Sequence, residues 1–225
     1  MARDGLHNFR LPKTRVEFLA DGVFAIVMTL LVLELKVPEL SRSVTASELL
    51  HELKHLGPVF LAFCITFILA GTYWFFHNLS MEFVTHANQK LAFINVGFLF
   101  FISLFPFSAA LLGHFIRNPV AQVAYFGNQA GAALFLVLNW RYARRASLLG
   151  KVDPVIAAKL NWRLGALAIA TLAAAVVAFF DQRFSFWLVP LSVMGSRVVA
   201  RFREKNAKPG SHHETETTAA AHSGE

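Results

Sequence analysis

The feature that most constrains this chain is the recurrence of long apolar runs, each close to the length a helix needs to cross a bilayer. At 1.5 Å rise per residue, about 20 predominantly apolar residues span the hydrocarbon core, where no water is present to satisfy an irregular backbone. Six runs fit that ruler, at approximately residues 18–36, 57–79, 90–113, 119–140, 161–180 and 184–202. The expected fold class is therefore an all-α integral membrane protein with six transmembrane helices per chain. The run at 119–140 is the least apolar, carrying Gln122, Asn128, Gln129 and Gly131, so it is expected to pack against protein instead of lipid.

Composition agrees with that ruler. An apolar content of 56% with 23 phenylalanines is too greasy for a soluble surface. The lone cysteine, Cys64, excludes an intrachain disulfide and any CxxC or Cys/His metal site within one chain. The net charge of +7 does not point to nucleic acid, because the basic residues cluster beside apolar runs without interleaved aromatics. They read as topology determinants. Of the 21 Lys and Arg, sixteen fall on one side of six alternating spans and five on the other. The positive-inside rule then expects both termini in the cytoplasm. No cleavable leader is expected, since the uninterrupted apolar stretch of the first run, which follows Asp21, is long and ends in Glu34 and Lys36 in place of a small-residue cleavage site.

Residues 1–14 are expected to form a cytoplasmic N-terminal segment, 15–203 the six-helix domain, and 204–225 a disordered cytoplasmic tail without apolar periodicity. Connections look short apart from about twenty residues after Pro38 and another twenty after Trp140. The first of these contains a weakly amphipathic stretch, Ala46 to Leu56, with Thr45 or Ser47 as its cap, suited to lying along the interface. Nothing suggests an enzyme. No HExxH or GxSxG occurs, and His51, His55, His77, His86 and His114 lack the spacing of a metal or haem site. His51 and His55 are i, i+4 without a third ligand, and His212 and His213 sit in the polar tail. No cofactor and no fixed metal ligand are expected.

The first run is unusual because it is polar at both ends. Residues 15–38 read RVEFLADGVFAIVMTLLVLELKVP, with Arg15, Glu17 and Asp21 gathered at one entrance. An aspartate about one turn inside the membrane costs about 2.5–3.5 kcal/mol on insertion scales unless it is paired or wetted. Along the same helix Ile26, Leu30 and Leu33 fall at i, i+4 and i+7, one stripe.

This segment resembles the prokaryotic branch of the transmembrane protein 175 family of potassium channels, whose first helix opens with R-x-x-x-F-S-D. Arg15 and Asp21 stand at the matching separation, whereas Leu19 and Ala20 replace the motif Phe and Ser. The run Gly22 to Leu35 looks like the family's pore helix, and Tyr73-Trp74-Phe75-Phe76-His77, Asn95 and Pro106-Phe107-Ser108 resemble its second and third helices in kind and order. The last three runs match in hydropathy alone.

The resemblance implies a homotetramer in the plasma membrane of a prokaryote, with four first helices around a central pore passing potassium ions. It makes Ile26 the principal hydrophobic ring, Leu30 and Leu33 further rings, and Thr29 an adjacent hydroxyl layer associated with cation selectivity. It also groups Arg15, Asp21, Trp74, His77 and Asn95 in a network that positions the pore helix. No TVGYG-like segment occurs, so gating is expected from dewetting of apolar rings instead of from a carbonyl filter. A leak of modest K⁺ over Na⁺ selectivity is expected, without a voltage sensor, because no run carries regularly spaced arginines. The rival reading is a proton channel or proton-coupled transporter using Asp21 and His77, since relatives in the family pass protons; no inverted repeat supports a transporter.

Overall fold

The computed structural model describes residues 10–38 and 44–180. The sixth apolar run at 184–202, the tail from 204 onward, and His212 and His213 lie outside the described residues. Among those residues, five helical segments are long and apolar enough to cross a membrane: Lys13–Glu34, Gly57–Glu82, Gln89–His114, Pro119–Arg145 and Pro154–Phe180. The protein is an all-α membrane fold.

The elements explain their own boundaries. Helix α1 (Lys13–Leu30) tightens into a 3₁₀ turn at Leu31–Glu34. It begins five residues before the apolar run, because Lys13 and Glu17 pair at 3.4 Å across one turn and polar residues can continue a helix past the hydrocarbon. Helix α2 (Ala46–His55) is opened by Thr45 in a capping box. Thr45 N–H and its hydroxyl donate to Glu48 Oε2 at 2.8 and 2.7 Å, while Glu48 N–H donates back to Thr45 Oγ1 at 3.4 Å. Those bonds hold the exposed Glu48 carboxyl below its ordinary pKa, so their support of the cap is present above that ordinary value and is lost as pH falls through the lowered one.

Helix α3 (Gly57–Glu82) is one unbroken span. The third apolar run is instead two helices, α4 (Gln89–Ser103) and α5 (Phe105–His114), separated at Leu104. Pro106 accounts for the break, since it lacks an N–H and its ring clashes with the carbonyl four residues back. Helices α6 (Pro119–Arg145) and α7 (Pro154–Phe180) leave only residues 146–153 between them. The twenty-residue connection expected after Trp140 is therefore wrong: both helices run on through Arg141, Arg144, Arg145 and Lys159, which a hydropathy window excludes but a helix accommodates. Helix α6 closes in a Schellman motif, with Leu148 N–H on Ala143 O at 3.0 Å and Ser147 N–H on Arg144 O at 3.4 Å. Ser147 occupies the left-handed position this motif needs, at φ 54°.

At one end of the bundle the chain ties several elements together. Strand β1 (Arg10–Leu11) pairs antiparallel with β2 (Ala87–Asn88), Arg10 opposite Asn88 and Leu11 opposite Ala87. Thr85 N–H donates to Leu148 O at 2.9 Å and Gly150 N–H to Phe83 O at 3.0 Å, so the loop after α3 also grips the loop after α6. Val16, Met81, Leu91 and Ala143 pack beneath this knot. The starts of α1, α4 and α7 and the ends of α3 and α6 therefore share one end, and Lys13, Arg15, Lys90, Arg144 and Arg145 share it with them. Among the described residues, these basic side chains therefore gather at one end of the bundle.

Among the described spans α6 is the most buried, at 56% against at most 44% in the other four. It fits α4 through two reciprocal notches. Phe135 of α6 lies over Gly97 of α4, and Phe101 of α4 lies over Gly131 of α6, so that a Cβ at either glycine would collide with a ring. The two phenylalanines meet at 5.5 Å between centroids. Apolar burial gives little net drive inside lipid, and close packing of this kind is what holds helices together there. Gly131→Leu is accordingly expected to cost about 1–3 kcal/mol by overpacking, seen as a lowered unfolding midpoint of the detergent-purified protein, while the same change at the open Gly127 leaves the midpoint nearly unchanged.

Candidate functional site: the two faces of the first helix

Helix α1 has a core face and a free face. Val16, Ala20, Phe24, Val27 and Leu31 are buried against the rest of the chain. Phe24 meets Phe98 of α4 at 5.9 Å, and Phe98 in turn meets Tyr73 of α3 at 6.4 Å. On the opposite side Ile26 is 59% exposed, Leu33 66%, Leu30 42%, and Thr29 is exposed with them. At 100° per residue Thr29, Ile26 and Leu30 span an arc of about 100°. The 3₁₀ turn at Leu31–Glu34, with three residues per turn, brings Leu33 closer to directly over Leu30 than a continuous α-helix would.

The chemistry of this face is mixed. Thr29 Oγ1 donates to Ile26 O at 2.8 Å and to Ala25 O at 3.0 Å, which leaves the hydroxyl oxygen's lone pairs turned outward as acceptors. Gly22 and Ala25 are exposed on the same side, and none of the described residues lies within 4 Å of where a Gly22 side chain would start. Asp21 flanks the face and is also exposed.

The five residues grouped as a network separate into two pairs and one outlier. Trp74 Nε1–H donates to Asp21 Oδ1 at 2.8 Å, linking α3 to α1. One turn along α3, His77 Nε2–H donates to Asn95 Oδ1 of α4 at 2.7 Å. That second pair is fully enclosed, and the His77 ring lies flat on Phe98, 5.3 Å apart and 6° from parallel. Arg15 is exposed on the outer side of α1 and bonds to neither pair. Further along the bundle, Tyr73 O–H donates to Gln129 O at 2.7 Å, and Thr66 Oγ1 lies 3.0 Å from Tyr125 Oη.

Two partners escaped the sequence reading. Lys13 was legible as the i, i+4 partner of Glu17. Phe98 carried no signal, since one phenylalanine among 23 does not announce that it backs a buried histidine. Among the described residues no group of three or more His, Cys, Asp or Glu side chains forms a metal site.

The comparisons with known proteins bear on this helix directly. Residues 15–106 match the family model described as "Endosomal/lysosomal potassium channel TMEM175". A potassium channel of Chryseobacterium sp. is 39% identical over 113 residues, 49% of this chain and 55% of that protein. A potassium channel of Streptomyces collinus is 31% identical over 161 residues, 68% of this chain and 77% of that protein. The Gallus gallus endosomal/lysosomal proton channel TMEM175 is 37% identical over 114 residues, 48% of this chain but 23% of that longer protein. Among solved structures, the crystal structure of a lysosomal potassium-selective channel TMEM175 homolog from Chamaesiphon minutus superposes with a TM-score of 0.67 at 25% identity, covering 84% of this chain and 97% of that one. The matches thus span between about a quarter and three quarters of the curated relatives' own lengths.

His77→Phe leaves the buried Asn95 oxygen without its donor, and the expected cost is about 1–3 kcal/mol. Replacing both partners, as His77→Phe with Asn95→Leu, is expected to recover most of that loss. Unfolding midpoints of the two variants in one detergent check it, and additive losses would refute the pairing.

Proposed function

This chain belongs to the TMEM175 family, and from that membership we propose that it is a potassium-conducting leak channel, a homotetramer in which four copies of α1 surround the pore. Ile26, Leu30 and Leu33 form stacked apolar constrictions and Thr29 a hydroxyl layer beside them. Both termini face the cytoplasm of a prokaryotic cell, and the membrane is its plasma membrane.

The observation that carries the reading is the free face of α1. A stripe turned to lipid needs only bulky apolar side chains. This one includes a threonine, a glycine, an alanine and, at its flank, an exposed aspartate. Trp74 bonds one oxygen of this carboxylate, which remains exposed, and leaving its charge against hydrocarbon would cost about 2.5–3.5 kcal/mol, so a wet axis or a neighbouring subunit is the cheaper surrounding. The Asp21–Trp74 bond supports the same view, because it fixes the angle at which α1 presents that face.

Conduction follows from the ring chemistry. Branched side chains at a narrow ring exclude water and close the path by dewetting, and a small rotation or tilt readmits it. Partial dehydration costs less for larger alkali cations, so selectivity for K⁺ over Na⁺ is modest. Outward lone pairs on Thr29 offer such an ion temporary oxygen ligands.

Ile26→Asn wets the principal ring. If it lowers the barrier by about 1.4 kcal/mol, K⁺ flux into liposomes rises about tenfold. An unchanged flux and unchanged K⁺/Na⁺ ratio would remove Ile26 from the path. A second reading, a proton channel, is favoured by the name of the Gallus gallus relative. Under opposed K⁺ and pH gradients the wild-type reversal potential is expected to follow the K⁺ gradient; tracking the pH gradient would establish the proton reading instead.

A further inference from the structure

Away from α1, the end of α6 and the beginning of α7 form an open cleft of about 370 Å³ lined by Arg141, Arg144, Arg145 and Asn161. Its size falls in the range of small-molecule sites. The three arginines sit at i, i+3 and i+4, one face of one helix, where like charges repel in the absence of a counter-charge. Among the described residues no carboxylate pairs with them. Asn161 adds an amide able to donate or accept from the α7 side.

The level of the cleft relative to the membrane follows from what lies along the same stripes. On α6, Leu134, Leu138, Arg141 and Arg145 follow one another at helical spacing, all exposed, so the surface changes from apolar to basic at the cleft. On α7, Trp162 beside Asn161 is 51% exposed and Ile169 farther along is 69% exposed. An exposed tryptophan between apolar surface and arginines is the pattern of a membrane–water boundary. That boundary is where lipid phosphates lie, and planar guanidinium forks match a phosphate in pairs of parallel hydrogen bonds.

We propose that this cleft binds the phosphate of an anionic phospholipid headgroup, held by Arg141, Arg144 and Arg145, with Asn161 closing the α7 side. The site is independent of the pore, since none of its residues belongs to α1. It clamps the α6–α7 hairpin to the leaflet at the basic end, a narrower role than the general orienting effect of positive charge.

The test uses the full-length protein in detergent, titrated with phosphatidylglycerol or phosphatidylcholine and read by native mass spectrometry. Phosphatidylglycerol is expected to bind and phosphatidylcholine to bind far more weakly. Loss of one charge-assisted pair in Arg144→Gln is expected to weaken phosphatidylglycerol binding about tenfold, with Arg145→Gln as the second variant should the first not fold. Arg144→Lys retains the charge without the fork and is expected to fall between. Lys90→Gln, a charge at the same end but outside the cleft, is expected to leave binding unchanged. Equal binding of the two lipids, or equal weakening by Lys90→Gln and Arg144→Gln, would overturn the site in favour of diffuse attraction. Displacement of phosphatidylglycerol by inorganic phosphate at low concentration would overturn the lipid assignment and make soluble phosphate the ligand.

Discussion

Lipid tails are as apolar as leucine, so moving a leucine from lipid into protein gains almost nothing, and the arrangement of these helices has to rest on other terms. The structure supplies two. One is close packing at notches, where Gly97 and Gly131 admit the rings of Phe135 and Phe101. The other is a set of polar pairs between helices: Asp21 with Trp74, His77 with Asn95, Tyr73 with the Gln129 carbonyl, and Asn128 Nδ2 with Ser108 Oγ at 3.1 Å. Each side chain would be costly in hydrocarbon alone, and each is made tolerable by a partner on a different helix.

The placement of α1 depends on that scaffold. Ala20, Phe24 and Val27 seat it on α3 and α4 through Phe98 and Tyr73, and the tryptophan bond to Asp21 settles its rotation. With one side so committed, the stripe of Ile26, Thr29, Leu30 and Leu33 is left exposed among the described residues. The proposed channel would need a helix that is held firmly on one face and left open on the other. Loss of the motif serine at Ala20 fits this division of labour, because that position is completely buried against neighbours where a methyl packs without a hydroxyl to satisfy.

How far the fold could be read beforehand depended on whether a residue's meaning was local. Pro106, the Thr45–Glu48 capping box and the paired Lys13 and Glu17 act within a turn or two of themselves, and each marks a boundary. Helix ends were misread where they left the hydrocarbon: the arginines closing α6 and Lys159 near the start of α7 fail a hydropathy test, yet Arg and Lys are good helix formers in water. The network around α1 was legible as a set of residue types and not as a wiring. Trp74 and His77 stand three apart on one helix, yet one reaches the exposed Asp21 and the other the enclosed Asn95, while Arg15 joins neither.

What the amino-acid sequence determined alone is the class of the molecule: spans of membrane length, basic charge concentrated beside alternate ends of those spans, and a first helix with a stripe at i, i+4 and i+7. Those properties follow from periodicity and composition, which do not depend on what a helix meets. Tertiary structure alone decided which side of α1 is covered, which polar groups find each other, and that three arginines and an asparagine from two helices share one cleft. The reason is that side chains from helices separated by dozens of residues meet only after the crossing angles are set, and those angles come from notches such as Gly97 and Gly131 whose depth is a property of the pair.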